Sequence, residues 1–169
     1  MKRKTTQLDM FGKAAPIEMF EETNMVSEVE LIYHSKVKPT DRPLIKSSRD
    51  AYKLLLNTWN KDTIDLQEEF NVILLNRAGR VIALNNVGKG GLTSTIADPR
   101  LILAAALKAA ACSIMLAHNH PSGNLRPSKA DEELTKKIKA GAAFLDIMVL
   151  DHLIITPDEY LSFADEGLL

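Results

Sequence analysis

Two histidines and an aspartate lie close together in the second half of this 169-residue sequence and could hold a metal ion. The segment reads His118-Asn119-His120, and Ser128 and Asp131 follow after a short loop. On an extended backbone, histidines at positions i and i+2 point to the same side, with Cβ atoms roughly 7 Å apart. Their imidazoles can then converge on one ion. Catalytic zinc commonly uses three protein ligands and keeps a fourth position for water, so this spacing suggests a zinc-dependent hydrolase.

A zinc hydrolase also needs a general base, and two glutamates are candidates. Glu68 and Glu69 directly precede an apolar segment that is predicted to form a strand. Adjacent residues face opposite sides of a strand, so only one of the two can face the metal. The hydroxyl of Ser128, three residues before Asp131, could help to stabilise an oxyanion.

Each of these residues also has a structural interpretation. Ser128-x-x-Asp131 is a helix-capping pattern, and capping competes with metal ligation for Asp131. The spacing of the His118–His120 pair alone leaves metal binding and a structural role open. His152, which follows Asp151 in the last predicted strand, could assist a metal ligand, but a structural role is favoured.

Hydrophobic periodicity and turn signals predict the elements that must position these residues. The predicted order is β-α-β-β-α-β-α-β, which indicates one mixed α/β structure. The first half comprises a strand at Val26–Lys38, a helix capped by Ser47 or Ser48 that reaches Trp59, a hairpin at residues 70–84 and a flexible loop at Gly88–Gly91.

The second half of the chain carries the proposed site. Its predicted elements are a helix that starts at Asp98-Pro99 and reaches Ala111, a strand at Ser113–Ala117 that ends on His118, a helix from Ser128 to a glycine cap at Gly141, and a last strand at Ile147–Thr156 interrupted by Asp151-His152.

Composition limits the classes of protein that this chain can belong to. It is 46% hydrophobic and 25% charged, and its formal net charge is -1, so nucleic-acid binding driven by overall charge is not supported. The length suits one domain, expected at residues 26–169 after a flexible arm at residues 1–25. No apolar run approaches the ~20 residues that span a bilayer, so no membrane association is expected. The single cysteine rules out an internal disulfide and favours a cytoplasmic setting.

At these residues the sequence resembles the JAMM (MPN) metalloprotease superfamily. The pattern of that superfamily is a glutamate on an early strand, then His-x-His, seven residues, Ser, two residues and Asp, and the spacing from His118 to Asp131 matches throughout. Within the superfamily, HNHPSGNLRPSKAD closely resembles the RadC family of bacterial JAB-domain proteins. The similarity extends from about Val26 to the C-terminus, including EEFNVILLNRAGRVI and LDHLIIT.

The resemblance implies specific roles for the site residues. His118, His120 and Asp131 would bind Zn²⁺, and Ser128 would stabilise the tetrahedral intermediate. Glu68 would be the general base, with Glu69 as the alternative if the register differs by one residue. The implied fold is the cytidine-deaminase-like α/β sandwich, a mixed β-sheet flanked by helices, and the implied reaction is amide or isopeptide hydrolysis of a peptide or protein substrate.

Two other functional classes share features with this sequence. A zinc nucleobase deaminase shares the implied fold, but it needs an H-x-E motif and a P-C-x-x-C pair, which one cysteine cannot supply. The serious alternative is a DNA-associated or scaffolding module of the RadC type, in which zinc is mainly structural.

Overall fold

The computed structural model of this protein describes Tyr33, residues 37–90 and residues 97–169. Within these residues, three α-helices and five β-strands follow a short 3-10 helix at Pro39–Asp41. In chain order they are α1 Ser48–Thr58, β1 Glu69–Leu75, β2 Val81–Lys89, α2 Pro99–Lys108, β3 Ser113–Asn119, α3 Lys129–Ala143, β4 Met148–Ile155 and β5 Tyr160–Ser162. The predicted class, α/β with a mixed sheet flanked by helices, is confirmed.

The five strands form one sheet in the order β2-β1-β3-β4-β5. β1 pairs antiparallel with both β2 and β3, β3 pairs parallel with β4, and β4 pairs antiparallel with β5. Phe70, near the start of β1, lies opposite His118, near the end of β3. The residues just before β1 and just after β3 therefore meet at the same edge of the sheet.

Helices cover both faces of the sheet. The face that packs against α1, called the α1 face here, carries buried Ile73, Leu75, Met115, Ala117 and Leu153. The face that packs against α2 and α3, called the α3 face, carries buried Val72, Leu74, Ile114, Leu116 and Val149. Because successive side chains alternate along a strand, the parity of a residue in β1 or β3 decides which helix it meets.

Side-chain caps start the three α-helices at the predicted positions. Ser47 accepts a hydrogen bond from the amide of Asp50, Asp98 from that of Arg100, and Ser128 from that of Asp131. Each cap satisfies an amide that has no partner within its helix. Among the described residues, no helix is long and apolar enough to cross a bilayer.

Two helix ends differ from the predictions. α2 ends at Lys108 rather than Ala111, and Ala110 just beyond it is left-handed, with φ of 51°. α3 continues through Gly141 to Ala143, so the prediction of Gly141 as the cap is wrong. The left-handed residue after α3 is Asp146, with φ of 55°, and aspartate tolerates this conformation better than most residues.

Two strands also differ. β2 extends through Gly88 and Lys89, which pair with β1, so the predicted loop there is wrong for these two residues. β4 is not interrupted at Asp151-His152, and it is not the last strand, because β5 follows it. The pairing instead shifts by one residue, with Val149 opposite Ile114 and Asp151 opposite Met115, which makes Leu150 a β-bulge.

Most of the predicted strand Val26–Lys38 lies outside the described residues, and so does the predicted arm at residues 1–25. Of the predicted strand, Tyr33, Val37 and Lys38 are described, and none of them is in a strand. The boundary between arm and domain stays a prediction.

Asn119, the last residue of β3, joins the segment before β1 to the sheet. It is fully buried, and its side-chain oxygen accepts a hydrogen bond of 2.7 Å from the amide of Glu69. Its side-chain nitrogen donates to the carbonyls of Ile64 at 2.6 Å and Gln67 at 2.9 Å. Asn119 thus holds the backbone on both sides of Glu68.

We predict that Asn119→Ala lowers the free energy of unfolding by at least about 3 kcal/mol, because it leaves one amide and two carbonyls of a buried region without partners. Asn76→Ala is the matched control. The Asn76 side chain likewise bonds the backbone, accepting from the amides of Ala78 and Arg80. It does so in the more exposed β1–β2 turn, so a loss of about 1 kcal/mol is expected. Urea denaturation measures both, and equal losses would contradict the prediction.

Candidate metal centre

His118 and His120 point to the same side at the end of β3. His118 lies on the α3 face, is 1% exposed and stacks parallel to the ring of Phe70 with 6.0 Å between centroids. His120 follows the same alternation and is only partly buried. The Nε2 atoms of the two histidines are 2.9 Å apart.

Asp131 lies in the first turn of α3 and uses its two carboxylate oxygens differently. Oδ2 accepts hydrogen bonds of 2.7 Å from both the amide and the hydroxyl of Ser128, which completes a capping box. Oδ1 lies 3.4 Å from Nε2 of His118. Capping and approach to the histidines therefore do not compete for Asp131, because each involves a different oxygen.

Ser128 caps α3 and contacts Asp131 in both directions. Its hydroxyl donates to Oδ2 of Asp131 and accepts from the amide of the same residue. This contact fixes the orientation of the carboxylate. A role for Ser128 in stabilising an oxyanion stays a prediction.

The two candidate bases lie on opposite faces, as strand alternation requires. Glu68 joins His118 and His120 in a group whose ligand atoms all lie within 4.8 Å of one another. Glu69 belongs to the α1 face, is 4% exposed, and accepts from Thr63 at 2.8 Å and Asn86 at 3.1 Å. It also pairs with Lys89 at 3.2 Å. The structure thus places Glu68, and not Glu69, beside the two histidines.

Two of the distances between donor atoms are close to those around a small divalent ion. Tetrahedral coordination at about 2.0–2.1 Å separates neighbouring ligand atoms by about 3.3 Å. Nε2 of His118 is 3.4 Å from Oδ1 of Asp131, and the histidine pair would need to open by only about 0.4 Å from its 2.9 Å separation. The carboxylate of Glu68 lies within 4.8 Å of both histidine nitrogens, close enough to bind an ion or to lie beside it. Asp131 is not in that group, and it approaches the pair at His118.

Burial keeps His118 and His152 neutral. It lowers the pKa of His118 to about 4, against the opposing charge of Asp131 and with a smaller lowering by His120. Burial likewise lowers the pKa of His152 well below its usual value, and His118 and His120 add to the effect. A neutral imidazole has one nitrogen lone pair available for a metal ion.

Sequence reasoning named His152 as a residue that could assist a metal ligand but favoured a structural role, and it missed two further partners of the histidines. Nδ1 of His118 contacts Nε2 of His152 at 2.8 Å, and Nδ1 of His152 contacts the hydroxyl of Thr135 at 2.6 Å. Nδ1 of His120 contacts the backbone carbonyl of Asn124. Of these partners, only His152 could be noticed in the sequence, because it lies in an apolar predicted strand. The bulge at Leu150 could not be predicted, so neither could the face of the sheet on which His152 lies.

A cavity of about 490 Å³ opens beside His120. One side is formed by the loop that follows β3, and the other by the turn between β4 and β5. The lining residues are Asp65, His120, Pro121, Gly123, Leu125, Thr156, Pro157, Asp158 and Glu159. The candidate metal centre is therefore next to a space that can accept part of another molecule.

Curated relatives of this chain are bacterial proteins. A UPF0758 protein of Flavobacterium johnsoniae is 44% identical over 124 residues, which cover 73% of this chain and 53% of the relative. A UPF0758 protein of Porphyromonas gingivalis is 47% identical over 130 residues, which cover 76% of this chain and 56% of the relative. The chain thus spans about half the length of the curated relatives that it matches.

The family comparison includes every candidate site residue. Residues 45–168 match the RadC-like JAB domain, so the predicted resemblance is confirmed, although the match begins at residue 45 rather than near Val26. The match includes Glu68, His118, His120, Ser128 and Asp131. This chain belongs to the RadC-like JAB domain family.

Proposed function

We propose that this protein is a zinc-dependent hydrolase that cleaves amide or isopeptide bonds. One observation carries the proposal: Nε2 of His118 lies 2.9 Å from Nε2 of His120 and 3.4 Å from Oδ1 of Asp131. Two imidazole nitrogens and one carboxylate oxygen are a ligand set of catalytic zinc, with a position left for water. When bound, zinc supplies a Lewis acid that polarises a carbonyl and makes water more acidic.

Glu68 is the proposed general base. Its carboxylate is grouped with the two histidines, and its backbone is held on both sides by Asn119. In addition, the carbonyl of Glu68 accepts a hydrogen bond of 2.8 Å from the amide of Gly90. A carboxylate held in this way can take a proton from the attacking water and deliver it to the leaving amine.

Ser128 and Asp131 are proposed to act together. Because the serine hydroxyl and amide both donate to Oδ2, the other oxygen of the carboxylate stays directed towards His118. Because the amide of Ser128 also holds Oδ2, the hydroxyl is proposed to turn from Asp131 and donate its one proton to the oxyanion of the tetrahedral intermediate.

The proposed substrate is a peptide or protein. The cavity beside His120 is open to solvent on the side of the exposed carboxylates of Asp158 and Glu159, so a substrate chain can reach the site from outside. The metal centre would then meet a backbone or isopeptide carbonyl at the rim of this cavity.

The alternative is a scaffolding or DNA-associated module in which the ion is structural. The favouring observation is that the ligands join the end of β3 to the start of α3, so an ion there would also stabilise the fold. In that case zinc raises the melting temperature, but no peptide or isopeptide library is cleaved. Salt-sensitive binding to DNA would identify the nucleic-acid version.

We predict that the purified protein holds about one zinc ion per chain and that His118→Ala holds much less, because one of three ligands is lost. Elemental analysis of metal content after dialysis measures both. Glu69→Gln is the control, since Glu69 lies on the other face of the sheet, and it should keep the wild-type content. Equal zinc in wild type and His118→Ala would show that the three residues are not the ligands.

We also predict that Glu68→Gln keeps its zinc but hydrolyses peptide or isopeptide substrates about 10²–10⁴-fold more slowly, because the amide cannot accept the proton. Glu69→Gln, the same change one residue away, should keep both zinc and rate. The two variants are compared on a fluorogenic peptide and isopeptide library. The reverse result, with the loss in Glu69→Gln, would assign the base to the other glutamate.

A further inference from the structure

A buried chain of hydrogen bonds connects two of the proposed metal ligands through residues that are not ligands. It runs from Nδ1 of His118 to Nε2 of His152 at 2.8 Å and from Nδ1 of His152 to the hydroxyl of Thr135 at 2.6 Å. The hydroxyl of Thr135 in turn contacts the backbone carbonyl of Asp131 at 2.6 Å. This series of hydrogen bonds thus starts at His118 on β3, passes through His152 on β4 and Thr135 on α3, and ends at Asp131 in the first turn of α3.

The carbonyl of Asp131, at one end of this series of hydrogen bonds, determines which atom donates at each step. The carbonyl of Asp131 can only accept, so the hydroxyl of Thr135 donates to it and accepts from Nδ1–H of His152. A neutral His152 protonated at Nδ1 has a lone pair at Nε2, and it therefore accepts from Nδ1–H of His118. His118 is left with its lone pair at Nε2, the atom that faces His120 and Asp131.

A different contact gives His120 the same tautomer as His118. Its Nδ1 faces the backbone carbonyl of Asn124, so Nδ1 carries the proton and Nε2 carries the lone pair. Two lone pairs then face each other at 2.9 Å, with a carboxylate oxygen 3.4 Å from one of them. Such an arrangement is repulsive until a cation lies between the three atoms, so the network prepares the site for a metal ion.

The fold brings His152 to this position through the bulge in β4. Val149 and His152 both belong to the α3 face although they are three residues apart, because Leu150 is the extra residue of the bulge. Without the bulge, alternation would place His152 on the α1 face. The ring is fully buried between Phe163, with 4.7 Å between centroids, and Phe70, with 5.6 Å.

Thr135 reaches the same network from α3. It lies one turn after Asp131, is 2% exposed, and its hydroxyl bonds back to the carbonyl four residues earlier. Its single hydroxyl is therefore used both to orient His152 and to tie that ring to the residue that supplies the third ligand.

We propose that His152 and Thr135 are positioning residues that hold His118 in the tautomer whose Nε2 binds the metal ion. This inference rests on the metal centre of the proposed function. Hydrogen-bond partners of metal-bound histidines usually change metal affinity by 10–100-fold when they are removed, and the same range is expected for His152.

Four variants test the proposal. His152→Leu removes the acceptor for His118 and keeps apolar bulk. His152→Gln restores an acceptor near the position of Nε2 and a donor towards Thr135. Thr135→Val removes only the hydroxyl. Thr58→Val makes the same change in α1, where the hydroxyl also bonds the carbonyl four residues earlier, that of Leu54.

The primary measurement is the Zn²⁺ dissociation constant, by competition with a chromogenic chelator. We expect His152→Leu to weaken binding 10–100-fold, Thr135→Val to weaken it less, His152→Gln to recover most of it, and Thr58→Val to match wild type. In the metal-free protein, long-range ¹H–¹⁵N NMR should show His118 protonated at Nδ1 in wild type and lose that signature in His152→Leu.

The possible failures are distinct. Wild-type protein that binds no zinc would overturn the proposed function itself. Wild-type affinity in a folded His152→Leu, or equal effects of Thr135→Val and Thr58→Val, would overturn only the positioning role. If His152→Leu does not fold, the pair of threonine variants and His152→Gln still decide.

Discussion

The register between β1 and β3 is the constraint on which the candidate site depends. Phe70 lies opposite His118, so the α3 face receives His118 and, by alternation, Glu68 before β1 and His120 after β3. A slip of one residue in either strand would exchange these side chains with their neighbours, which belong to the other face. Apolar residues on both faces, packed against different helices, make such a slip costly.

The first turn of α3 positions the remaining candidate ligand, Asp131, through local contacts. A capping box restricts the Asp131 side chain through two contacts to Ser128, and that restriction directs its second oxygen to His118. Forming the capping box already restricts the carboxylate, so binding an ion costs little further conformational entropy. A ligand that also serves as a helix cap is therefore held ready by the same interactions that begin the helix.

Local signals in the sequence predicted much of this architecture. The caps at Ser47, Asp98 and Ser128 and the hairpin depend on neighbouring residues, and each of these predictions is confirmed. The environment of His152 could not be predicted, because a bulge breaks the alternation from which the facing of a strand residue is inferred.

Long-range contacts could not be predicted from the sequence either. Asn119 stands between two candidate ligands, but its partners are about 50 residues earlier in the chain, at Ile64, Gln67 and Glu69. The alternation that brings the two histidines together also shows that Asn119 cannot be a ligand, yet it does not show what the side chain contacts instead.

A common pattern relates the two faces of the sheet at this end. The α3 face carries Glu68, His118 and His152. Each of them has a polar neighbour in sequence that is buried on the opposite side and makes hydrogen bonds there. Glu69 bonds Thr63, Asn86 and Lys89, Asn119 bonds the segment before β1, and Asp151 bonds Ser162 and the amide of Ala164.

These buried neighbours stabilise the backbone at the ends of the strands, where the candidate site lies. A metal site needs side chains held to within a fraction of an ångström, but it lies where strands end and backbone pairing is weakest. Buried polar groups are costly unless they are bonded, so each neighbour locks its own stretch of backbone once its partners are in place. At this end of the sheet, a residue that faces the candidate site is therefore followed or preceded by one whose buried contacts fix the structure behind it.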